Sequence, residues 1–178
     1  MSTDFTIRPL GLDDAVAYMT MRLRALRDHP AAFGSSVEEW VEQSPTDVAQ
    51  RFQSPTGATL GAFDDGRIVG TTRVDHERPR KMRHRAGIYG VYVAPEARRR
   101  GIARALLLEA IAIARGWPEV EEVRLTVSVE MPAARALYAA LGFETWGVEP
   151  RALKIDGRYV GEEHMVLLLD QSAGNSAS

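Results

Sequence analysis

Residues 91–107 read VYVAPEARRRGIARALL, and this stretch decides the fold class. A short β-rich run ends at Val93, a basic turn with one glycine follows, and an apolar helical pattern opens near Ile102. The first N–H groups of a helix have no partner inside it, and the helix dipole favours negative charge at that end. Because Gly101 has no side chain, an anion can approach the main chain closely there. The stretch therefore predicts a pyrophosphate site between a strand and a helix.

The spacing of the turn distinguishes it from the other common phosphate-binding motifs. The sequence contains no G-x-x-x-x-G-K-[ST], and the turn offers one glycine where G-x-G-x-x-G needs three. It does match [Q/R]-x-x-G-x-[G/A], written here as Arg98-Arg99-Arg100-Gly101-Ile102-Ala103. Between this strand and this helix, the pattern resembles motif A of the GNAT superfamily of acyl-CoA-dependent N-acetyltransferases.

A second stretch supports the resemblance. Residues 134–143, ARALYAALGF, are similar to motif B of the same superfamily, whose usual form is N-x-x-A-x-x-L-Y-x-x-x-G-F. Taken singly, the two stretches would read as a solvated arginine run and an amphipathic helix stopped by glycine. Met131 departs from the pattern, because motif B commonly has Asn there to cap the helix and to bond the pantetheine. Either cofactor affinity is lower or Ser128 or Glu130 takes over part of that role.

The resemblance implies an α/β (α+β) fold in a single GNAT domain, with a mixed, mostly antiparallel sheet of about six to seven strands flanked by helices. A chain of 178 residues suits one hydrophobic core, and we expect the domain to span residues 1–170 with a flexible tail at 171–178. Local patterns agree. They predict a hairpin turn at 64–67, strands at 146–152 and 165–169, a capping box from Ser36 to Glu39, and a first helix whose apolar face is Val16, Met19, Leu23 and Leu26.

The resemblance also implies which residues bind the cofactor, acetyl-CoA. The main chain of the strand before the turn would pair with the pantetheine arm, and the Val93 region would lie near the acyl carbonyl. The turn would surround the pyrophosphate, chiefly through main-chain N–H groups, while the charge of Arg98 raises affinity. The predicted cofactor-binding residues are Val91, Tyr92, Val93, Arg98, Arg99, Arg100, Gly101, Ile102, Ala103 and Arg104.

Tyr138 is the predicted catalytic residue, since the family's tyrosine at this position can protonate the departing thiolate. An ordinary tyrosine is protonated at neutral pH and can therefore donate. The alternative is a tyrosine that caps the core with its hydroxyl bonded to a carbonyl. The general base stays open, because Gly87 and Thr126 stand roughly where some family members have glutamate. The candidates are Asp75, His76, Glu77, His84, Glu130 and His164.

Composition narrows the function further. The net charge of −2 provides no large basic field for nucleic acid, and the absence of cysteine excludes a cysteinyl intermediate. The histidines show no metal-ligand spacing, and no apolar run is long enough for a membrane span, so we expect a cytoplasmic protein without a metal. The expected activity is transfer of acetyl from acetyl-CoA to a primary amine by direct attack in a ternary complex. A small-molecule acceptor is favoured; a peptide or lysine acceptor, a catalytically silent acyl-CoA sensor and a homodimer stay open.

Overall fold

The computed structural model describes residues 4–169, which build a seven-stranded sheet in the order β1-β2-β3-β4-β5-β7-β6. Neighbouring strands are antiparallel except for β4 and β5, which run parallel. The predicted mixed and mostly antiparallel sheet is confirmed. Its strands are β1 (Thr6–Pro9), β2 (Gly57–Asp64), β3 (Arg67–His76), β4 (Arg85–Val93), β5 (Glu122–Ser128), β6 (Glu144–Ile155) and β7 (Arg158–Leu168).

Helices cover both faces of the sheet. The capping box that starts α2 is confirmed: the Glu39 amide donates to Ser36 Oγ at 3.3 Å, and the Ser36 amide donates to Glu39 Oε2 at 2.8 Å. One buried cluster joins α4 to the sheet, and a second joins α1 and α3 to the opposite face. The helices are α1 (Ala15–Asp28), α2 (Val37–Val41), α3 (Pro45–Phe52), α4 (Ile102–Arg115) and α5 (Pro132–Ala140).

The parallel strands β4 and β5 separate soon after they begin. They pair only from Arg85 opposite Glu122 to Gly87 opposite Arg124. Beyond that point β5 continues to pair with β7, and β4 continues to pair with β3, so the sheet opens into a cleft between its two halves. Main-chain groups on the open side of β4 therefore lack a sheet partner.

A β-bulge marks the open part of β4. Tyr89 pairs with Arg73 and Tyr92 pairs with Thr71, so two residues of β4 face the single residue Thr72. Gly90 occupies the bulge with φ +63°, a conformation that favours glycine, and the Thr72 hydroxyl donates to the Tyr89 carbonyl at 3.3 Å. The bulge turns the main chain of β4 at the mouth of the cleft.

Two local predictions need correction. The apolar face proposed for α1 is wrong at Val16, whose side chain is 64% exposed, because the helix turns Ala15, Met21 and Ala25 toward the core instead. The small alanines let the helix approach its neighbours closely. The last two strands are longer than predicted, because the β6–β7 hairpin continues on both sides of its turn through residues that range from exposed Arg158 to buried Val160.

Candidate active site

A cavity of about 310 Å³ lies where β4 and β5 separate. The two strands form opposite walls, Ile88–Val91 on one side and Leu125–Ser128 on the other. Helix α5 contributes Ala134 and Tyr138, and Met131 directly precedes it. Strand β7 contributes Glu162, and the remaining wall consists of Arg22 with residues Ala32–Ser35. Residues that are far apart in sequence, from Arg22 to Glu162, thus line one cavity, and the main chain of β4 forms part of its wall.

The basic turn leads from the end of β4 into α4. Gly101 has φ +80° and Arg99 has φ +62°, so the turn uses left-handed backbone at two positions. Ala105 donates to the Gly101 carbonyl at 3.0 Å, whereas within residues 4–169 the amides of 99–104 have no main-chain acceptor. A Cβ at Gly101 would meet no atom within 4 Å, so the approach to these amides is open. The turn has the properties of an anion site.

The arginines of the turn divide into two pairs. Arg98 donates from Nε to the Val93 carbonyl at 3.0 Å, and its Nη2 lies 2.9 Å from His29 Nε2. Arg100 forms an ion pair with Asp64, which lowers the pKa of that carboxyl. Arg99 and Arg104 form no ion pair or hydrogen bond with any side chain in the part of the chain that the structure describes. They are the side-chain charges left for a ligand.

The side chain of Arg98 is therefore bonded within the protein and is not a free charge above the turn. Its bond to the last carbonyl of β4 ties the strand end to the turn. Replacing Arg98 with Lys keeps the charge but removes the planar donor that reaches Val93. We predict that Arg98→Lys weakens acetyl-CoA binding by about 10-fold, nearly as much as Arg98→Met, because a hydrogen bond from a charged group is lost in both. Isothermal calorimetry checks this, and affinity preserved in Arg98→Lys would show that charge alone matters.

Tyr138 lies in the cavity wall with 7% of its surface exposed. Burial raises the pKa of Tyr138 to about 12. Its ring packs edge-on against Phe143, with ring centroids 6.2 Å apart, and within residues 4–169 its hydroxyl has no hydrogen-bond partner. The alternative of a hydroxyl bonded to a core carbonyl is therefore not what the structure shows. The hydroxyl is a protonated donor without a protein acceptor.

The other predicted residues of β4 divide at the bulge. Val91 borders the cavity, but Tyr92 and Val93 lie beyond it. The Tyr92 hydroxyl donates to Asp28 Oδ2 at 2.7 Å, and burial, reinforced by Asp28, raises the pKa of Tyr92 to about 12. The side chains of Tyr92 and Val93 are structural, and contact of their main chain with a cofactor stays a prediction.

The start of α5 accommodates the unusual methionine. Met131 makes no side-chain cap bond; its amide donates to the Ser128 carbonyl at 2.9 Å. Ser128 is buried, borders the cavity, and accepts from the Glu130 amide through its hydroxyl at 3.2 Å. Glu130 is held in an ion pair with Arg158. Of the two substitutes considered for the missing Asn, Ser128 is the one beside the cavity.

The carboxylate that reaches the cavity is Glu162, which the sequence did not single out as a base. It lies opposite Ser128 in the β5–β7 register, and burial raises its pKa, with Glu149 acting in the same direction and His164 opposing them. The six base candidates named from the sequence do not border this cavity: Asp75, His76, Glu77, His84, Glu130 and His164. Asp75, for example, accepts from Arg73 Nε at 2.6 Å. The signal for Glu162 is strand register, which one sequence does not reveal.

Within residues 4–169, no group of three His, Asp or Glu side chains could hold a metal ion. None of the helices in this range is long and apolar enough to cross a membrane.

Curated relatives resemble this chain at moderate identity. The L-amino acid N-acetyltransferase of Escherichia coli is 34% identical over 107 residues, which is 60% of this chain and 65% of that protein. The phosphinothricin N-acetyltransferase of Alcaligenes faecalis is 30% identical over 146 residues, or 80% of this chain and 72% of that protein. The chain spans less than half of a mycothiol acetyltransferase from Salinispora tropica, 43% of its length.

Solved structures and family profiles agree with these relatives. A GNAT-family acetyltransferase from Streptococcus pneumoniae superposes with a TM-score of 0.83 at 23% identity, over 93% of this chain and all of that one. A chain from Salmonella typhimurium, solved with its cofactor acetyl-CoA, gives 0.78 at 22% identity, over 98% of this chain and 99% of that one. The profile of the acetyltransferase (GNAT) family matches residues 22–143, which include the turn, the cavity walls β4 and β5, and Tyr138. This chain belongs to the GNAT acetyltransferase family.

Proposed function

We propose that this protein transfers the acetyl group of acetyl-CoA to the primary amine of a small molecule, by direct attack while donor and acceptor are both bound. The observation that carries this proposal is the cavity between β4 and β5, whose walls include Tyr138 and Glu162. The relatives support it, since the names of two of them specify an L-amino acid and phosphinothricin as acceptors.

The residues present fit acetyl-CoA. The amides of 99–104 and the unpaired Arg99 and Arg104 suit a pyrophosphate. The unpartnered side of β4 suits the amide groups of a pantetheine arm, which can add to the sheet as an extended peptide does. When bound there, acetyl-CoA supplies the thioester carbonyl that the amine attacks.

Tyr138 is proposed as the acid of the reaction. With a pKa of about 12 the hydroxyl keeps its proton throughout the physiological range. Its lack of a protein acceptor leaves that proton free to be donated to a thiolate that forms in the cavity.

Glu162 is proposed as the base that removes the proton of the ammonium form. A free alkylamine is mostly protonated at neutral pH and cannot attack in that state. A carboxylate whose pKa is raised by burial is a better proton acceptor than an ordinary glutamate. It borders the same cavity as Tyr138, so the base that acts on the acceptor amine and the acid that acts on the donor thiolate lie in one site.

Glu162→Gln should lower kcat by about 100-fold at neutral pH, the effect expected for loss of a general base. The base acts as a carboxylate, so wild-type activity should rise with pH through the raised pKa of Glu162. In the variant this acidic limb should disappear, and activity should recover at high pH, where the amine loses its proton unaided. Steady-state pH profiles measure both effects.

Glu163→Gln is the matched control, because Glu163 is the next residue of β7 but its carboxylate accepts from Arg135 at 2.7 Å, away from the cavity. That variant should retain the wild-type pH profile. An unchanged profile in Glu162→Gln would assign the base elsewhere.

The direct test of the function is calorimetric titration with acetyl-CoA, followed by thiol release with amines, amino acids and peptides as acceptors. The chain has no cysteine, so all thiol detected comes from the cofactor. Saturable binding and release with a small amine would support the proposal. Binding without release from any acceptor would favour the silent sensor, which the presence of Tyr138 and Glu162 in one cavity disfavours. Absence of binding would overturn it.

A peptide acceptor is the second candidate. A cleft of about 500 Å³ runs from residues 33–38, which lead into α2, to residues 152–156 at the end of β6. It shares Phe33, Gly34 and Ser35 with the cavity. An extended chain could enter by this route. Thiol release with peptides and not with free amino acids would favour it.

Some predictions about the whole chain stay proposals. They are one acetyltransferase domain over residues 1–170, a tail at 171–178, a cytoplasmic location, no nucleic-acid partner and an oligomeric state that includes a homodimer as an option. The tail lies outside the described residues.

A further inference from the structure

Arg22, on α1, is a half-buried cation whose Nε atom is buried without a partner. Its Nε atom is shielded from solvent and has no hydrogen bond, and its guanidinium forms no ion pair with any carboxylate in residues 4–169. It packs 4.4 Å from the centre of the Phe33 ring and 5.4 Å from that of Trp40. Burying a charge without a counter-charge is costly, and the aromatic contacts offset this only in part. Such a group is expected where a ligand supplies the missing anion.

The position of Arg22 connects it to the reaction site. Its side chain borders both the 310 Å³ cavity and a second cavity of about 150 Å³, and the two meet at Arg22, Tyr89 and Gly90. A Cβ at Gly90 would lie 3.5 Å from Nη1 of Arg22. The guanidinium therefore lies beside the bulge of β4, at the mouth of the cleft.

The second cavity is aromatic and cationic. Its walls include the rings of Tyr18, Trp40 and Phe52 together with Arg51 and Arg73, and no acidic residue borders it within the described chain. Arg73 is neutralised by Asp75, whereas Arg51 bonds to the uncharged Gln43. The rings give the cavity an apolar surface, and its positive charge lies on Arg22, which also borders the larger cavity, and on Arg51, which packs 5.7 Å from the centre of the Trp40 ring.

Across the larger cavity stands Glu162. Arg22 and Glu162 border the same space, one with a positive and one with a negative group. A molecule that carries an ammonium and a carboxylate close together would match this polarity, its ammonium toward Glu162 and its carboxylate toward Arg22. An amine without a carboxylate would leave Arg22 unpaired.

We infer that Arg22 binds the carboxylate of the acceptor and that the acceptor is an α-amino acid with an apolar or aromatic side chain, which the second cavity receives. This inference rests on the proposed function and narrows its acceptor. Arg22 sets specificity here, and the acid and base keep the roles given above.

The test compares each amino acid with the same amine lacking the carboxylate: L-phenylalanine with phenethylamine, and L-methionine with 3-(methylthio)propylamine. In at least one of the two pairs, the wild-type kcat/KM for the amino acid should be at least about 30-fold higher than that for the matching amine. This is the effect expected when an unpaired charge gains its partner. Arg22→Met should remove that preference by lowering kcat/KM for the amino acid about 30-fold, with little change for the amine. Arg22→Lys should restore part of it.

Arg27→Met is the matched control, because Arg27 lies exposed on the same helix and borders neither cavity. It should keep the wild-type preference. Equal losses for both members of a pair in Arg22→Met would mean a structural role and overturn the inference. If Arg22→Met does not fold, the inference is tested by Arg22→Lys and by the comparison of substrates with the wild type. A wild type that prefers the amines overturns the inference. Acetylation of amines but not amino acids contradicts only this inference, whereas failure to bind acetyl-CoA or to acetylate any acceptor contradicts the proposed function beneath it.

Discussion

Replacement of Gly101 by Glu is expected to weaken acetyl-CoA binding by about 1,000-fold or more. The backbone at Gly101 has φ +80°, where a residue with a side chain is strained by about 1–2 kcal/mol. The new carboxylate would stand among the unpaired amides of 99–104, where a pyrophosphate is expected, and like charges in contact cost several kcal/mol. A repulsion of about 4 kcal/mol corresponds to the stated loss, whereas the backbone strain is the same with and without ligand and lowers only the stability of the fold.

Calorimetry measures this loss, and Gly157→Glu provides the matched control. Gly157 lies in the β6–β7 turn with φ +81°, and a Cβ there would also meet no atom within 4 Å. The two variants share the backbone strain and the added charge, but only Gly101 belongs to the predicted phosphate site. Wild-type affinity in Gly101→Glu would place the phosphates elsewhere.

Tyr138→Phe is expected to lower kcat by about 1,000-fold and to leave the dissociation constant of acetyl-CoA unchanged. The hydroxyl lies at the cavity, and phenylalanine leaves no group there that can donate a proton. The effect should therefore exceed that of Glu162→Gln, which high pH can bypass. The acid must keep its proton, and a pKa of about 12 places any resulting alkaline decline of activity beyond the usual assay range.

Steady-state kinetics and thermal unfolding test the role of Tyr138 together. Stability should change little, because the hydroxyl has no hydrogen-bond partner within residues 4–169. Tyr159→Phe, on the exposed part of β7, is the control and should behave as the wild type. Unchanged kcat in Tyr138→Phe would refute its role as the acid.

The fold was predictable where the signals are local. The strand, turn and helix of 91–107 follow from a run of β-formers, a glycine and an apolar helical period, and the structure has all of them. The capping box at Ser36 is equally local. The bulge also has a local signal, because a glycine inside a strand pattern, here Gly90, indicates a bulge. Its neighbours Tyr89 and Val91 read as continuous strand.

The site was predictable only for those residues that lie together in one segment of the sequence. Arg98 was assigned from the motif as a charge for the phosphates, but its bond to Val93 depends on how the turn folds back. Glu162 and Arg22 come from β7 and α1, far from the motifs in sequence, and they reach the cavity through strand register and helix packing. Those long-range contacts have no periodic signature in a single sequence.

Because β4 and β5 separate, binding of a ligand along β4 can be observed through the exchange of main-chain amide protons. Main-chain amides on the open side of β4 have no strand to protect them from exchange with solvent deuterium. A ligand laid along that side would bond to them and slow their exchange, while the amides bonded to β3 would change little. The exchange rates of these β4 amides, measured by mass spectrometry or NMR, would therefore report the bound acetyl donor residue by residue, without any label on the ligand.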